Sequence, residues 1–122
     1  MNKRKVGSHY EEQAAKFLEN QGYEILEKNY RNSMGEIDLI GRDGDYLAFV
    51  EVKYRRDKRR GAALEAVNSQ KQRRISRAAL LYRAQKQIPE ETPCRFDVVG
   101  MDGGEIALVK NAFDFCYGKP LW

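Results

Sequence analysis

Histidine is almost missing from this 122-residue chain: His9 is the only one. Metal centres or catalytic triads built around several imidazoles are therefore excluded, and His9 itself reads as a surface residue near the start of a first helix. Cysteine is nearly as scarce. Cys94 and Cys116 lie far apart and form no CxxC pair, which disfavours zinc and disulfide frameworks and suits free thiols in a reducing compartment. No apolar run approaches the roughly 18 to 20 residues that cross a bilayer, and residues 1–6 lack the hydrophobic stretch of a signal peptide. The expectation is a cytoplasmic protein with no membrane partner. Internal repeats and low-complexity tracts are also lacking, and the length suits a single domain over residues 1–122.

What is present suffices for a packed core: 42% hydrophobic residues, with seven Tyr, five Phe and one Trp. Residues 10–21 place Ala14, Ala15, Phe17 and Leu18 at helical spacing, with Gly22 as a stop. Residues 23–30 read as a strand, followed by turn-forming Asn32, Ser33 and Gly35. Two stronger strands, 36–40 and 46–53, flank a gap containing Asp43-Gly44, which predicts an antiparallel hairpin. Residues 64–87 contain neither Gly nor Pro and predict the longest helix, with Val67, Ile75, Ala78, Ala79 and Tyr82 near one face. After Pro89 and Pro93, residues 95–100 and 106–109 read as short strands around Asp102-Gly103-Gly104. The aromatic tail carries Phe113, Phe115, Tyr117 and Trp122, which can pack on the sheet. The order αβββαββ with a largely antiparallel sheet is an α+β or mixed α/β fold class.

Ionisable residues interrupt otherwise hydrophobic strands. Glu51 and Lys53 alternate with Val50 and Val52, so both address one face. Folding the hairpin about Asp43-Gly44 brings Asp38 near residues 49–51, although its face depends on a register that spacing does not fix. Two carboxylates and an ammonium suit Mg²⁺- or Mn²⁺-assisted phosphodiester hydrolysis: hard oxygen ligands hold the cation, and Lys53 orients water or neutralises developing charge. A plain cross-strand salt bridge has the same pattern. Glu36 shares a strand face with Asp38, as a further ligand or an exposed carboxylate. Asp97, between Phe96 and Val98, hydrogen-bonds or faces solvent.

The motifs Gly35-Glu36-Ile37-Asp38-Leu39-Ile40, Phe49-Val50-Glu51-Val52-Lys53-Tyr54-Arg55, Ala66-Val67 with Lys71-Gln72-Arg73-Arg74, and Arg95-Phe96-Asp97-Val98-Val99 occur in that order. Together they resemble the YraN family, also known as UPF0102, from about residue 7 to about residue 113. That family resembles the PD-(D/E)XK nucleases, with a restriction-endonuclease-like core of about five strands flanked by two main helices, and within them the archaeal Holliday-junction resolvases. The resemblance implies a metal-dependent endonuclease. Asp38 and Glu51 match its metal ligands and Lys53 its lysine. An additional acid on the first helix falls on Glu11, with Glu12 the adjacent candidate. Tyr10 stands where the family usually has Gly, and Ile37 rather than Pro precedes Asp38. Lys71 matches a basic position able to reach a phosphate, or is a solvated helix lysine.

The net charge of +4 conceals a strong polarity. Residues 53–86 hold twelve Lys and Arg against two acids, a net +10, which leaves −6 for the remainder. Arg55, Arg56, Lys58, Arg59 and Arg60 leave the end of the Lys53 strand, and Lys71, Arg73, Arg74 and Arg77 follow on the second helix. Beside a carboxylate site these are candidate phosphate contacts. No helix-turn-helix, zinc finger or aromatic stacking motif is recognisable, which favours backbone-directed over base-directed binding. The expectation is DNA cleavage, with branched or Holliday-junction DNA as candidate substrate. A junction substrate would require a homodimer. The alternatives are a nucleic-acid-binding module that retains the nuclease fold without catalysis, and a protein-interaction adaptor using the aromatic tail.

Overall fold

A computed structural model describes residues 3–55 and 67–116, with side chains over 9–54 and 67–116. The elements follow in the expected order: α1 (Lys3–Asn20), β1 (Glu24–Asn32), β2 (Gly35–Asp43), β3 (Tyr46–Arg55), α2 (Ser69–Gln85), β4 (Cys94–Asp102) and β5 (Glu105–Phe113). One mixed sheet holds all five strands in sequential order; β3 and β4 pair parallel and the other neighbours antiparallel. The parallel pair is possible because α2 lies between β3 and β4 in the chain and returns it to the same end of the sheet.

Helix α1 begins well before residue 10, the expected start, so His9 lies inside it rather than near its beginning. Ala14, Ala15 and Leu18 form its fully buried stripe. Gly22 adopts φ +98°, and the chain closes on itself there: the N–H of Gly22 donates to Glu19 O at 3.0 Å and that of Tyr23 to Leu18 O at 3.0 Å. That is a Schellman ending, with Tyr23 packed in the same core cluster as Leu18.

Helix α2 starts later than the expected residue 64. Residues 64–66 lie outside the described residues, and Val67 and Asn68 precede the first turn. The Asn68 side chain accepts the Lys71 N–H at 2.9 Å, an N-cap that fixes the helix start and so the direction of Lys71. The strands all run longer than expected, because pairing continues through residues of low β-propensity.

The two faces of β3 explain the two layers. Ala48, Val50 and Val52 pack with α1, Leu39 and Val99; Leu47 and Phe49 pack with α2, Ile40 and Phe96. Phe113 stacks on Phe96 at 4.9 Å and Phe115 meets it edge-on at 4.5 Å, so the aromatic tail does cover the sheet as far as it is described; Tyr117 and Trp122 lie outside the described residues. Among the described residues no helix is long and apolar enough to cross a membrane.

One end of the sheet is tied by a buried polar network. Asp97 is fully buried, not solvent-facing, and accepts from the Tyr23 hydroxyl at 2.6 Å, Arg95 Nε at 3.0 Å and the Asn111 N–H at 2.9 Å. Arg95 also pairs with Asp43, which Lys110 joins at 2.9 Å. Every oxygen of Asp97 has a donor, so the charge is compensated where it is buried. Asp97→Ala is expected to cost about 3–5 kcal/mol of unfolding free energy, because it leaves the Tyr23 hydroxyl, Arg95 Nε and the Asn111 N–H without their buried acceptor. Tyr23→Phe, which removes one donor, should cost about 1 kcal/mol. Urea denaturation measures both, and near-equal values would contradict the network.

Candidate functional site

The other end of the sheet is split. Register between β2 and β3 runs from the Asp43↔Tyr46 pair to Leu39↔Val50 and stops. Beyond that point Gly35, Glu36 and Ile37 pair only with β1, while residues 51–55 pair with β4. The hairpin loop is Gly44-Asp45, with Gly44 at φ +60°, a turn form that matches strand twist. Counting back from it places Asp38 and Glu51 at the fork, one on each wing.

Asp38 closes the fork with its side chain: Oδ2 accepts the Val52 N–H at 2.8 Å, replacing a ladder bond. Its own strand is irregular there. In the β1–β2 register Lys28↔Leu39 and Tyr30↔Ile37 are pairs, and neither Asn29 nor Asp38 between them has a partner. Asn29 takes φ +53°, a left-handed conformation that asparagine tolerates better than most residues. The irregularity moves Ile37 onto the α2 side with Ile40, leaving Leu39 alone facing α1, so Asp38 points edgewise into the gap. Spacing could not settle the face of Asp38 because a local break in the β1–β2 ladder settles it.

Around Asp38 the fold gathers Glu11 from α1, Glu51 from β3 and Lys71 from α2. They line an open cleft of about 510 Å³ with Glu36, Arg74 and neighbouring backbone. Glu51 is only 4% exposed, and its Oε1 receives Lys71 Nζ at 2.7 Å and Lys53 Nζ at 3.5 Å. Lys71 is therefore not a solvated helix lysine. Glu11, not Glu12, is the α1 acid in the cleft; Glu12 is exposed and paired with Lys28 at 3.0 Å. Glu36 stands at the rim, exposed and paired with Arg31 at 3.3 Å.

The electrostatics follow from crowding. Burial, then the charge of Glu51 and that of Glu11, push Asp38 up to about 8, and the Val52 N–H only partly opposes this. Burial also raises Glu11; contacts with Asp38 and the Asn29 amide hold it down in part. Glu11 Oε2 is buried and has no hydrogen-bond partner. Burial and the neighbouring Lys71 ammonium keep Lys53 below the ordinary lysine value, with Glu51 offsetting only some of this. Burial opposes charge on Lys71 too, yet its bond to Glu51 more than compensates and raises it.

Three carboxyls, of which Glu51 holds two ammoniums, form a donor set of hard oxygens, the kind Mg²⁺ or Mn²⁺ takes. Glu11 Oε2 is a buried acceptor without a donor, and a raised Asp38 marks negative charge that a cation would relieve. In kind the residues fit such an ion. In arrangement they stand short of it: among the described residues no three acids are placed to share one ion, and Lys71 occupies Glu51.

The basic residues divide. Arg74 lines the cleft beside Lys71, whereas Arg73 and Arg77 lie on α2 outside that lining. Arg55 ends β3, with its side chain undescribed, and Arg56, Lys58, Arg59 and Arg60 lie outside the described residues. Sequence reasoning missed Asn29 and Asn32. A low-β-propensity Asn in mid-strand was the available signal for the first. Asn32 accepts the Met34 N–H and donates to Ala78 O at 3.0 Å, tying the β1–β2 turn to α2.

Comparison with known proteins identifies the relatives of this arrangement. The profile of Uncharacterised protein family UPF0102 matches residues 10–101, which includes Glu11, Asp38, Glu51, Lys53 and Lys71. The chain belongs to the UPF0102 family. A UPF0102 protein of Lachnoclostridium phytofermentans is 52% identical over 98% of this chain and 100% of its own length. One from Symbiobacterium thermophilum is 49% identical over 90% and 97%, and one from Yersinia enterocolitica 44% identical over 93% and 98%. UPF0102 membership thus covers nearly the whole chain and both wings of the fork.

The raised Asp38 has a stability consequence. Its folded value exceeds its ordinary 3.8, so folding takes up a proton between pH about 4 and about 8. Stability is fully present below that window and lost as pH rises through it. Asp38→Asn keeps an oxygen for Val52 and carries no such penalty. In metal-free buffer it should be more stable than the wild type by on the order of 2 kcal/mol at pH 8, with no advantage at pH 4. Thermal melts across pH check this; an advantage that is constant with pH would contradict it.

Proposed function

We propose that this UPF0102 protein is a metal-dependent nuclease that hydrolyses phosphodiester bonds in DNA, with branched or junction DNA as the candidate substrate. The observation that carries the reading is the meeting of Glu11, Asp38 and Glu51 at the fork of the sheet, with Lys53 and Lys71 against Glu51. A structural salt bridge requires two of these groups and no cleft. Five ionisable groups from four elements, with a buried unpartnered oxygen among them, are costly to keep as structure alone and match what phosphoryl chemistry needs.

In this reading Glu11, Asp38 and Glu51 hold Mg²⁺ or Mn²⁺. The cation supplies Lewis-acid polarisation of a phosphoryl oxygen. Lys53, below the ordinary lysine value, sits where it can orient an attacking water or donate to charge developing on the phosphoryl oxygens. Lys71 neutralises Glu51 and would transfer to a phosphate entering the cleft. Arg74 continues the positive lining along the cleft. The basic residues 55–60 would add phosphate contacts. Cutting a junction on two strands takes two such sites, hence a homodimer.

Binding without cleavage is the second reading, and the Lys71–Glu51 pair at 2.7 Å favours it, since an ion pair there competes with a cation. One experiment separates them. Supercoiled, single-stranded and four-way-junction DNA are incubated with the protein and Mg²⁺ or Mn²⁺. The nuclease reading predicts cleavage that EDTA abolishes, lowered at least about 100-fold in Asp38→Asn and Glu51→Gln, and about 100-fold in Lys53→Met. Salt-sensitive DNA binding with no cleavage of any substrate would establish the binding module instead. Cleavage unchanged in both acid variants would remove the site from the chemistry.

A further inference from the structure

A second cleft, of about 420 Å³, lies on the other side of the same two segments. Its walls include His9 and Tyr10 of α1, Tyr54 of β3, Met101 of β4, and Gly103 and Gly104 of the β4–β5 turn. Among the described residues no Asp, Glu, Lys or Arg lines it, whereas Glu11, Glu36, Asp38, Glu51, Lys71 and Arg74 line the first. The rings of Tyr10 and Tyr54 stack at 3.7 Å with 17° between their planes, and His9 meets Tyr10 edge-on at 5.5 Å. Gly103 and Gly104 are exposed, with φ of +57° and +100°, and leave backbone rather than side chain at that wall.

Adjacent residues feed the two clefts. On α1, Glu11 lines the charged one and Tyr10 the aromatic one; on β3, Glu51 lines the charged one and Tyr54 the aromatic one. The alternation of β3 produces this: Glu51 and Lys53 share a face, and Tyr54 takes the opposite one with Val50 and Val52. Consecutive Cα atoms are about 3.8 Å apart, so the aromatic wall begins one residue from the lysine of the proposed site. After Tyr54 the chain enters the basic stretch 55–60.

We infer that the aromatic cleft is a nucleobase subsite, which takes one unpaired base of the strand whose phosphate enters the charged cleft. The inference rests on the nuclease reading and narrows its substrate. A base is a flat apolar face with polar edges: the tyrosine pair offers stacking surface, Met101 a soft apolar contact, and the glycine peptides partners for the edges. Charged lining would instead favour a second phosphate. A base inside a duplex is already stacked on its neighbours, so the occupant is an unpaired nucleotide, as at a single strand, a fork or an open junction centre. Stacking of this kind contributes affinity without reading sequence, and it accounts for a target choice by strand structure.

The test uses the full chain in EDTA and a labelled single strand of roughly 12 nucleotides, a length suited to one small site. Binding by fluorescence anisotropy is compared for the intact strand and for strands with one abasic position moved along it. The subsite predicts roughly tenfold weaker binding when the abasic position falls in the cleft. The difference should vanish in Tyr54→Leu and persist in Tyr54→Phe, with thermal melts taken on both variants. The wild-type comparison stands even if Tyr54→Leu does not fold. Equal binding of the intact strand and every abasic strand overturns the subsite and leaves backbone binding in place. A difference that survives in a folded Tyr54→Leu overturns the assignment to this cleft. Absence of any binding at low salt overturns the subsite and the nucleic-acid reading together.

Discussion

The carboxylate of Asp38 holds the fork in the sheet. β2 and β3 separate after Leu39 and Val50, and the first backbone donor left exposed by that separation, Val52 N–H, is taken by Asp38 Oδ2 at 2.8 Å. Without that bond the two wings would either zip together, filling the cleft with backbone, or leave a donor without a partner in a half-buried position. With it, the wings stand apart and Glu11 can reach in from α1 while Lys71 reaches in from α2. The break in the β1–β2 ladder at Asn29 and Asp38 serves the same end, since a regular ladder would turn Asp38 onto the α2 face beside Ile40.

The two ends of the sheet treat buried charge in opposite ways. At the hairpin end Asp97 is fully buried and satisfied by Tyr23, Arg95 and Asn111, an arrangement that fixes one conformation. At the fork end three carboxyls crowd together, Asp38 rises to about 8, Glu11 keeps an orphaned oxygen, and two lysines share one glutamate. The first end supplies rigidity. The second is left electrostatically incomplete, in a cleft that opens to solvent. A protein optimised for stability alone would not keep both patterns, and the contrast is what supports the proposed site at the fork.

Much of this was legible because strands alternate. Phe49-Val50-Glu51-Val52-Lys53 announces two apolar faces with charge on one of them, and Asp43-Gly44 announces the hairpin that pairs it with β2. The shared face of Glu51 and Lys53 and the nearness of Asp38 to residues 49–51 followed from those two facts. Three things were not legible. The face of Asp38 depends on Asn29, a residue of another strand. The start of α2 depends on a single capping bond from Asn68, and the lack of Gly and Pro before it marked no boundary. The partners of Asp97 are Tyr23 and Asn111, 74 and 14 residues away, and no local pattern reports such contacts. The Tyr10–Tyr54 stack belongs to the same class: two ordinary tyrosines become a platform only when α1 crosses the end of β3.

The net charge of +4 thus separates into parts with distinct roles. The acids of the −6 remainder supply the fork, and the +10 stretch begins at Lys53, inside it. Lys71 joins the two, as the basic residue bonded to Glu51 at 2.7 Å. The central claim is the proposal that Glu11, Asp38 and Glu51 come together on one cation once Lys71 gives up Glu51. A crystal soaked in Mn²⁺ and measured at the manganese absorption edge tests it directly. The account predicts one anomalous peak among the three carboxylates, with Lys71 withdrawn from Glu51. No peak there, with Lys71 still bonded to Glu51, would contradict it.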